Sequence, residues 1–262
     1  MMKALFTAAT GMKCQQSYID VVANNLANVN TTGFKGSELN FQDMLYEHQV
    51  LPGTEATQNN EVPTGLDVGS GARIVSSTRD FAQGSLNQTT GNLDMAIQGL
   101  GFFRVTMPDG TLAYTRDGSF GLDGNGRLVT ASGLPIADNI SIPSNATSVT
   151  VSSAGQVYIN TPGSTQQTLA GTLTLAGFAN PPGLNSLGGN LYAQTVASGT
   201  ATIGNPGLNG VGTIQQGYLE GSNVDVVTEL VRLITAQRAY EINSKAITTA
   251  DKMLQESNAL VQ

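Results

Sequence analysis

The chain has 262 residues, a formal charge of -7 at pH 7 and only 12% charged residues. That length holds one or two domains with a real core, and the acidic balance excludes a general nucleic-acid binder, which carries a basic footprint. The lone cysteine, Cys14, excludes an internal disulfide, and no run approaches the ~18 apolar residues of a membrane helix.

Glycine and proline divide the chain into three. Thirty of the 31 glycines and all nine prolines lie between Gly33 and Gly221. Both residues disfavour helix interiors, so the pattern predicts helix, then a long turn-rich β region, then helix. The fold class expected is α+β: a discontinuous helical coiled-coil domain from the two termini, with an inserted, mainly antiparallel β domain. The expected boundaries are 1–32 plus 222–262 for the helical domain, 33–71 for an extended linker or hairpin excursion, and 72–221 for the β domain.

The start, Met1-Met2-Lys3-Ala4-Leu5, lacks the charged, apolar and small-residue segments of a secretory signal, so cleavable secretion is not expected. A helix is predicted from Lys3 to Asn28. Leu5, Met12, Ile19 and Leu26 recur every seven residues, and Ala8, Gln15, Val22 and Val29 form the companion column. This is a heptad stripe with one polar break. Asn24, Asn25, Asn28 and Asn30 crowd its end and need partners wherever they are buried. Cys14 reads as a small helix-face residue, since no histidine stands near it in sequence.

After Thr31-Thr32-Gly33 the helical period stops. Residues 34–46 read as extended chain or a short helix. Residues 51–71 are rich in Pro, Gly, Thr and Asn and read as a long hairpin or extended excursion; so long a segment without regular structure has a function or is disordered. Leu51, Pro52, Pro63, Leu66 and Val68 are its candidate contacts to a neighbouring subunit. From Ala72 the pattern turns to strands at 102–106, 111–115, 127–130, 148–152, 156–160, 168–178 and 213–219. Asp-Gly and Asn-Gly pairs at 109–110, 117–118, 123–124 and 125–126 are hairpin turn signals. Not one Asp, Glu, Lys, Arg or His lies between Asn139 and Leu219, which suits a surface that meets copies of itself.

A second long helix is predicted after Ser222 or Asn223, either of which can cap it. Asp225 and Glu229 sit in its first turns, where negative charge suits the helix dipole. Val226, Leu233, Tyr240, Ile247 and Leu254 are seven apart, thickened by Leu230 and Ile234, while Gln237, Ser244 and Asp251 fill a weaker column. Glu241 with Lys245 and Lys252 with Glu256 are i,i+4 pairs. Neither stripe fills a core alone, and isolated helices are marginal in water. Antiparallel pairing of the two ends satisfies both; a two-helix lid on the β region is the plainer alternative.

Chemical motifs are weak. His48, the only histidine, reads as a surface residue, and a multi-histidine or multi-cysteine zinc site cannot be built. Asp123-Gly124-Asn125-Gly126 opens like a calcium loop but lacks its later ligands. Gly99-Leu100-Gly101 is a lone Gly-x-Gly. Asp117 with Asp123 is a conceivable glycosidase pair. No enzyme activity, metal or cofactor is expected.

Residues 20–36, Asp-Val-Val-Ala-Asn-Asn-Leu-Ala-Asn-Val-Asn-Thr-Thr-Gly-Phe-Lys-Gly, closely resemble the signature of bacterial flagellar rod and hook proteins. At the other end, Gly217-Tyr-Leu-Glu-Gly-Ser-Asn-Val-Asp-Val-Val227 and Ala236-Gln-Arg-Ala-Tyr-Glu-Ile-Asn-Ser-Lys245 resemble the C-terminal motif of the same family. Gly99–Phe103 and Ala113–Phe120 also match. Within the family the excursion through Pro52 and Pro63 and the length are most similar to the distal-rod members; Asp67 and Ser70 depart from the expected pattern.

The resemblance implies a structural subunit that polymerises helically into a rigid hollow shaft, with paired helices lining the export channel and the β domain outside. It implies helix pairing and assembly through Leu5, Met12, Ile19, Val22, Leu26, Val226, Leu230, Leu233, Tyr240, Ile247 and Leu254. Polar motif contacts would fall to Asn24, Asn25, Asn28, Gln237, Glu241 and Asn243. The implied partners are further copies, proximal rod proteins, the hook protein, periplasmic and outer-membrane ring proteins, a rod cap and the type III export apparatus. A proximal rod or hook-type axial subunit is the rival within the family. A secreted β-rich hydrolase and a β-rich adhesin are rivals from other classes.

Overall fold

The computed structural model describes residues 2–260 apart from 54, 58, 59, 62, 164, 165 and 209. It contains two long helices, α1 (Met2–Ala27) and α2 (Val226–Leu260), and many strands, most of them in antiparallel pairs. The class is α+β. The chain forms two compact units, one of residues 1–27, 37–78 and 225–262 and the other of residues 28–36 and 79–224.

In the first unit α1 and α2 pack along one another. Asn25 approaches Glu229 at one end, and at the other a Cβ added to Gly11 would lie 3.1 Å from the Asn243 side-chain amide. The two contacts share one register, with α1 running opposite to α2. The seam on α1 follows the expected columns: Ala8 and Val22 are buried, and Leu5, Met12, Gln15, Ile19 and Leu26 are half-buried. On α2 the expected Leu233, Ile247 and Leu254 are half-buried, but their companions are Glu229, Ala236, Asn243 and Ala250 rather than Gln237, Ser244 and Asp251. Ala236 and Ala250 are small enough to let two backbones approach there, and Glu229 meets Asn25; Gln237 and Asp251 point to solvent.

A second face of α1 lies on a ribbon formed by Ser37–Asp43 and Ala72–Arg79. Cys14 is buried there and donates from Sγ to the Ala72 carbonyl at 3.5 Å. Tyr18 meets Phe41 edge-on, with centroids 5.9 Å apart. Gly71, at φ +108°, backs onto Thr10, where a side chain would collide with the Thr10 hydroxyl. Residues 37–43 are therefore strand, not helix. Beyond them Tyr46–Val50 pairs with Leu66–Gly69, which makes the excursion a long hairpin at its base. The expected contacts Leu51, Pro52, Pro63 and Leu66 are exposed and Val68 is half-buried.

The second unit is built on a six-stranded antiparallel sheet in the order Asn185–Gly188, Leu191–Ala193, Leu112–Thr115, Phe102–Thr106, Leu175–Gly177, Thr202–Gly204. A three-stranded sheet of Ser148–Val151, Gln156–Asn160 and Thr168–Thr172 stands beside three two-stranded ribbons. Met95, Ile97, Phe103, Val157, Leu173 and Leu175 are all but fully buried in the main core. Asp123 makes the expected turn: its Oδ1 accepts from the Asn125 and Arg127 amides, and Gly126 takes φ +76°.

Two expected strands are each divided. The 168–178 run breaks at Leu173 and Thr174 because Asp138 holds the Thr174 amide and hydroxyl, and its halves join different sheets. The 213–219 run breaks at Gly217, whose φ of +74° turns the chain between Thr213–Gln216 and Tyr218–Glu220.

Candidate functional site

The sequence places two motif segments far apart, at 31–36 and 217–223. The second unit binds them together. Gly33 sits at φ +67° against the Asp117 backbone, where any Cβ would fall 2.5 Å from the Asp117 nitrogen. This approach aims the Gly33 amide at the Glu220 carbonyl, 2.8 Å away. Gly36 then donates its amide to Asn223 Oδ1 at 2.9 Å, and Asn223 Nδ2 donates to the Asp80 carbonyl.

Between these backbone bonds lies a buried charge triad. Lys35 and Glu220 are fully buried, and Arg116 is 2% exposed. Lys35 Nζ lies 2.6 Å from Glu220 Oε1 and 2.6 Å from the Ala82 carbonyl. Arg116 Nη1 lies 3.0 Å from Glu220 Oε2, and Nη2 donates to the Gly99 carbonyl at 2.7 Å. The Gly84 amide completes Glu220 Oε1 at 3.0 Å. One carboxylate thus serves two cations. Burial pulls the Lys35 ammonium and the Arg116 guanidinium below their ordinary pKa values, against the opposing attraction of Glu220.

The arrangement holds no nucleophile. Its donors and acceptors are spent on one another, apart from Arg116 Nε, which has no partner among the described residues. Its chemistry is that of a fastener: it binds chain segments 185 residues apart and costs much to open, because each ion is desolvated. Lys35 and Glu220 lie inside the two terminal motifs, and residue type alone assigns them no role. The usable signal was a lysine and a glutamate set among glycines and apolar residues, where solvated charges have no reason to stand.

The expected polar residues are placed as follows. Asn25 is buried; its amide bridges both backbone groups of Ser37, at 2.9 and 3.0 Å, and reaches Glu229 Oε2 at 3.5 Å. Asn28 Oδ1 accepts from the Thr31 hydroxyl, and Asn24 is exposed. Asn243 is half-buried in the seam and Gln237 is exposed. Glu241 meets Arg238 at 3.4 Å rather than Lys245. Neither Ser222 nor Asn223 caps α2, because Asn223 is committed to Gly36 and Asp80. Asp225 caps instead, accepting the Thr228 amide at 2.8 Å, which lowers its carboxyl pKa.

The helix seam gathers Leu5, Met12, Ile19, Val22, Leu26, Leu233, Ile247 and Leu254, while Val226, Leu230 and Tyr240 stay about 40% exposed. His48 is exposed, with Nδ1 2.6 Å from Asp67 Oδ1. Asp117 and Asp123 are both turn residues bound to neighbouring amides and hydroxyls. Among the described residues no group of three His, Cys, Asp or Glu could hold a metal ion, and no helix is long and apolar enough to cross a membrane.

Three family models match along the chain: flagella basal body rod protein at residues 5–35, the flagellar hook protein FlgE/F/G D1 domain at 96–159, and the flagellar basal body rod FlgEFG protein C-terminal region at 215–260. The first spans the α1 stripe through Lys35; the last spans Glu220 and α2. A flagellar basal-body rod protein FlgG of Buchnera aphidicola is 49% identical over 260 residues, covering 99% of this chain and 100% of that protein. Those of Borreliella burgdorferi and Caulobacter vibrioides are each 46% identical and cover 99% of both chains. The chain belongs to the flagellar basal-body rod family, as a structural subunit of the distal rod.

Proposed function

We propose that copies of this chain pack through their terminal helices into a rigid hollow tube that transmits torque to the hook and encloses the export channel. The paired helices form a coiled-coil domain that lines the channel, and the β-rich domain faces outward. The observation that carries this reading is the face of α2 turned away from its seam. Val227, Val231, Ile234 and Ile242 are 56–71% exposed there. Covering a side chain of this size contributes about 1.5–3 kcal/mol, so a row of them supports stacking against neighbours. Contacts that repeat head-to-tail without closing give a helical polymer.

The same reading assigns the proximal rod, the hook, the periplasmic and outer-membrane rings, a rod cap and the type III export apparatus as partners. It assigns the 51–71 excursion to bridging between subunits. The work is mechanical, with no enzyme step. Replacing Leu233 or Ile247 with Asp is expected to stop polymerisation, seen by electron microscopy, while strand circular dichroism is retained. Normal tubes from either variant would overturn the reading. Deleting 51–71 is expected to leave a tube that bends; an unchanged straight rod would remove the bridging role.

A further inference from the structure

The second unit carries an open apolar cavity. It measures about 270 Å³ and is walled by Phe81, Phe102, Phe178, Val211 and Gly177, with Leu100 at its lip. The rings meet edge to face, Phe81 with Phe102 at 5.4 Å and Phe102 with Phe178 at 5.7 Å between centroids, a favoured packing that fixes the walls. The only charged side chain among its described lining residues is Arg116, and Glu220 already pairs with it. Leu100 is 66% exposed because of how it is carried. Gly99 and Gly101 flank it at φ +107° and +128°, which glycine takes without strain. Gly99 is bonded to Gln83 and Arg116, and the Leu100 carbonyl accepts the Gly212 amide at 2.6 Å. A fixed turn thus holds a leucine in water at the mouth of an apolar cavity.

A matching knob stands at the opposite margin of the six-stranded sheet. The cavity lies by Leu175–Gly177 and Thr202–Gly204, whereas Asn185–Gly188 is the other edge. There Ser186 pairs with Tyr192 and Gly188 with Leu191, so Leu187 is the extra residue of a bulge. Bulges re-aim a side chain, and Leu187 is 49% exposed. Gly188, Gly189 and Asn190 turn the chain at positive φ, and Asn190 Nδ2 donates to the Thr32 carbonyl at 2.8 Å, which anchors the turn. Val196 is more exposed, but its turn is bonded through Ala197 to Asn180, beside the cavity itself. Docking through Val196 would bring two like patches together and close a pair. Leu187 and the cavity are different patches, so their contact repeats head to tail.

We propose that Leu187 of one copy seats in the Phe81–Phe102–Phe178 cavity of a second copy. The inference rests on the assembly reading above and adds a contact confined to the second unit, separate from the helices. The two surfaces suit each other in charge. No Asp, Glu, Lys, Arg or His lies between Asn139 and Leu219, so the knob's hairpin and most of the cavity mouth carry no ion that docking would have to desolvate.

The test uses full-length chains, with polymer measured by sedimentation and electron microscopy and the fold by near-ultraviolet circular dichroism. Leu187→Asp removes the knob. Gly177→Leu fills the cavity, and a Cβ at this position has no atom nearer than 3.6 Å. Each is expected to need about ten times more protein to polymerise, or more, while Leu187→Met and Val196→Asp behave as the unaltered chain. A chain carrying Ser186→Cys and Thr202→Cys, both exposed, is expected to give a ladder of disulfide-linked multimers when its polymer is oxidised with diamide. Cys14 is buried, so the unaltered polymer should give none. Normal polymerisation of Leu187→Asp would overturn the contact and leave the rod reading standing. So would a polymer that yields no ladder, or a loss confined to Val196→Asp. If Gly177→Leu alters the dichroism, Leu187→Asp and the ladder decide. An unaltered chain that stays monomeric would overturn both readings.

Discussion

Glu220→Gln should injure the second unit far more than Lys35→Met, although both remove one member of the same ion pair. The Glu220 carboxylate meets Lys35 at 2.6 Å, Arg116 at 3.0 Å and the Gly84 amide at 3.0 Å, all shielded from water. Neutralising it leaves two like charges buried with no anion, and leaving a buried ion unpaired costs about 3–5 kcal/mol. Lys35→Met leaves Arg116 and Glu220 as a balanced pair. It strips a donor from Ala82, worth about 1–2 kcal/mol, and removes an ammonium whose burial already outweighs its attraction to Glu220. For a domain of this size each kcal/mol moves the melting temperature by about 2–4 °C. Glu220→Gln should therefore fall by roughly 10 °C and Lys35→Met by a few degrees.

With no tryptophan in the chain, near-ultraviolet circular dichroism of the buried Tyr114 and Tyr192 reports this melting, with calorimetry beside it. The pH dependence has a definite sign. The Lys35 pKa is depressed in the folded chain, so above that value the unfolded chain binds one more proton at this site, and the Lys35 contribution to stability rises with pH up to about 10.5, opposed near pH 10 by Tyr114 and Tyr192, whose pKa values burial raises. Lys35→Met should flatten that rise. If Glu220→Gln costs under about 1 kcal/mol, or less than Lys35→Met, the triad is not the fastener described.

Two further changes test local geometry. A Cβ at Gly118 would collide with the Met95 carbonyl, so Gly118→Ala should destabilise the second unit by about 2–3 kcal/mol in the same melting assay. Asp225→Ala removes the α2 cap and should lower helix content at neutral pH. Because the Thr228 amide lowers the Asp225 pKa, the stabilisation is complete above the usual 3.8 and lost as pH falls through the depressed value. Helix content of Asp225→Ala against pH should lack that acid step.

The helices were legible because seven-residue spacing of Leu5, Met12, Ile19 and Leu26 has few other readings. The second column of α2 was not, because hydropathy ranks Ala236 and Ala250 below Leu230 and Ile234, and close helix approach rewards size rather than hydropathy. Turn chemistry located the hairpin at Asp123–Gly126, yet it could not divide 213–219: Gly217 looks like any glycine until its φ is known. The triad stayed hidden for a different reason. Its glycine and apolar neighbours set Lys35 apart, but its partner is a glutamate 185 positions away, which no local pattern names. Asn223 reads as a helix cap by residue type, and only the arrival of Gly36 reassigns it.

The separation between Lys35 and Glu220 also governs the order in which this protein can become itself. Closing so long a loop adds only slowly growing entropy, as the logarithm of its length, but contacts of such range form late and slow the search. A chain emerging N-terminus first presents Lys35 and waits 185 residues for Glu220. Until then the lysine and Arg116 have no counter-ion and every reason to stay wet. The fastener thus works as a completeness check, and a chain cut anywhere between Lys35 and Glu220 yields a product that never seals.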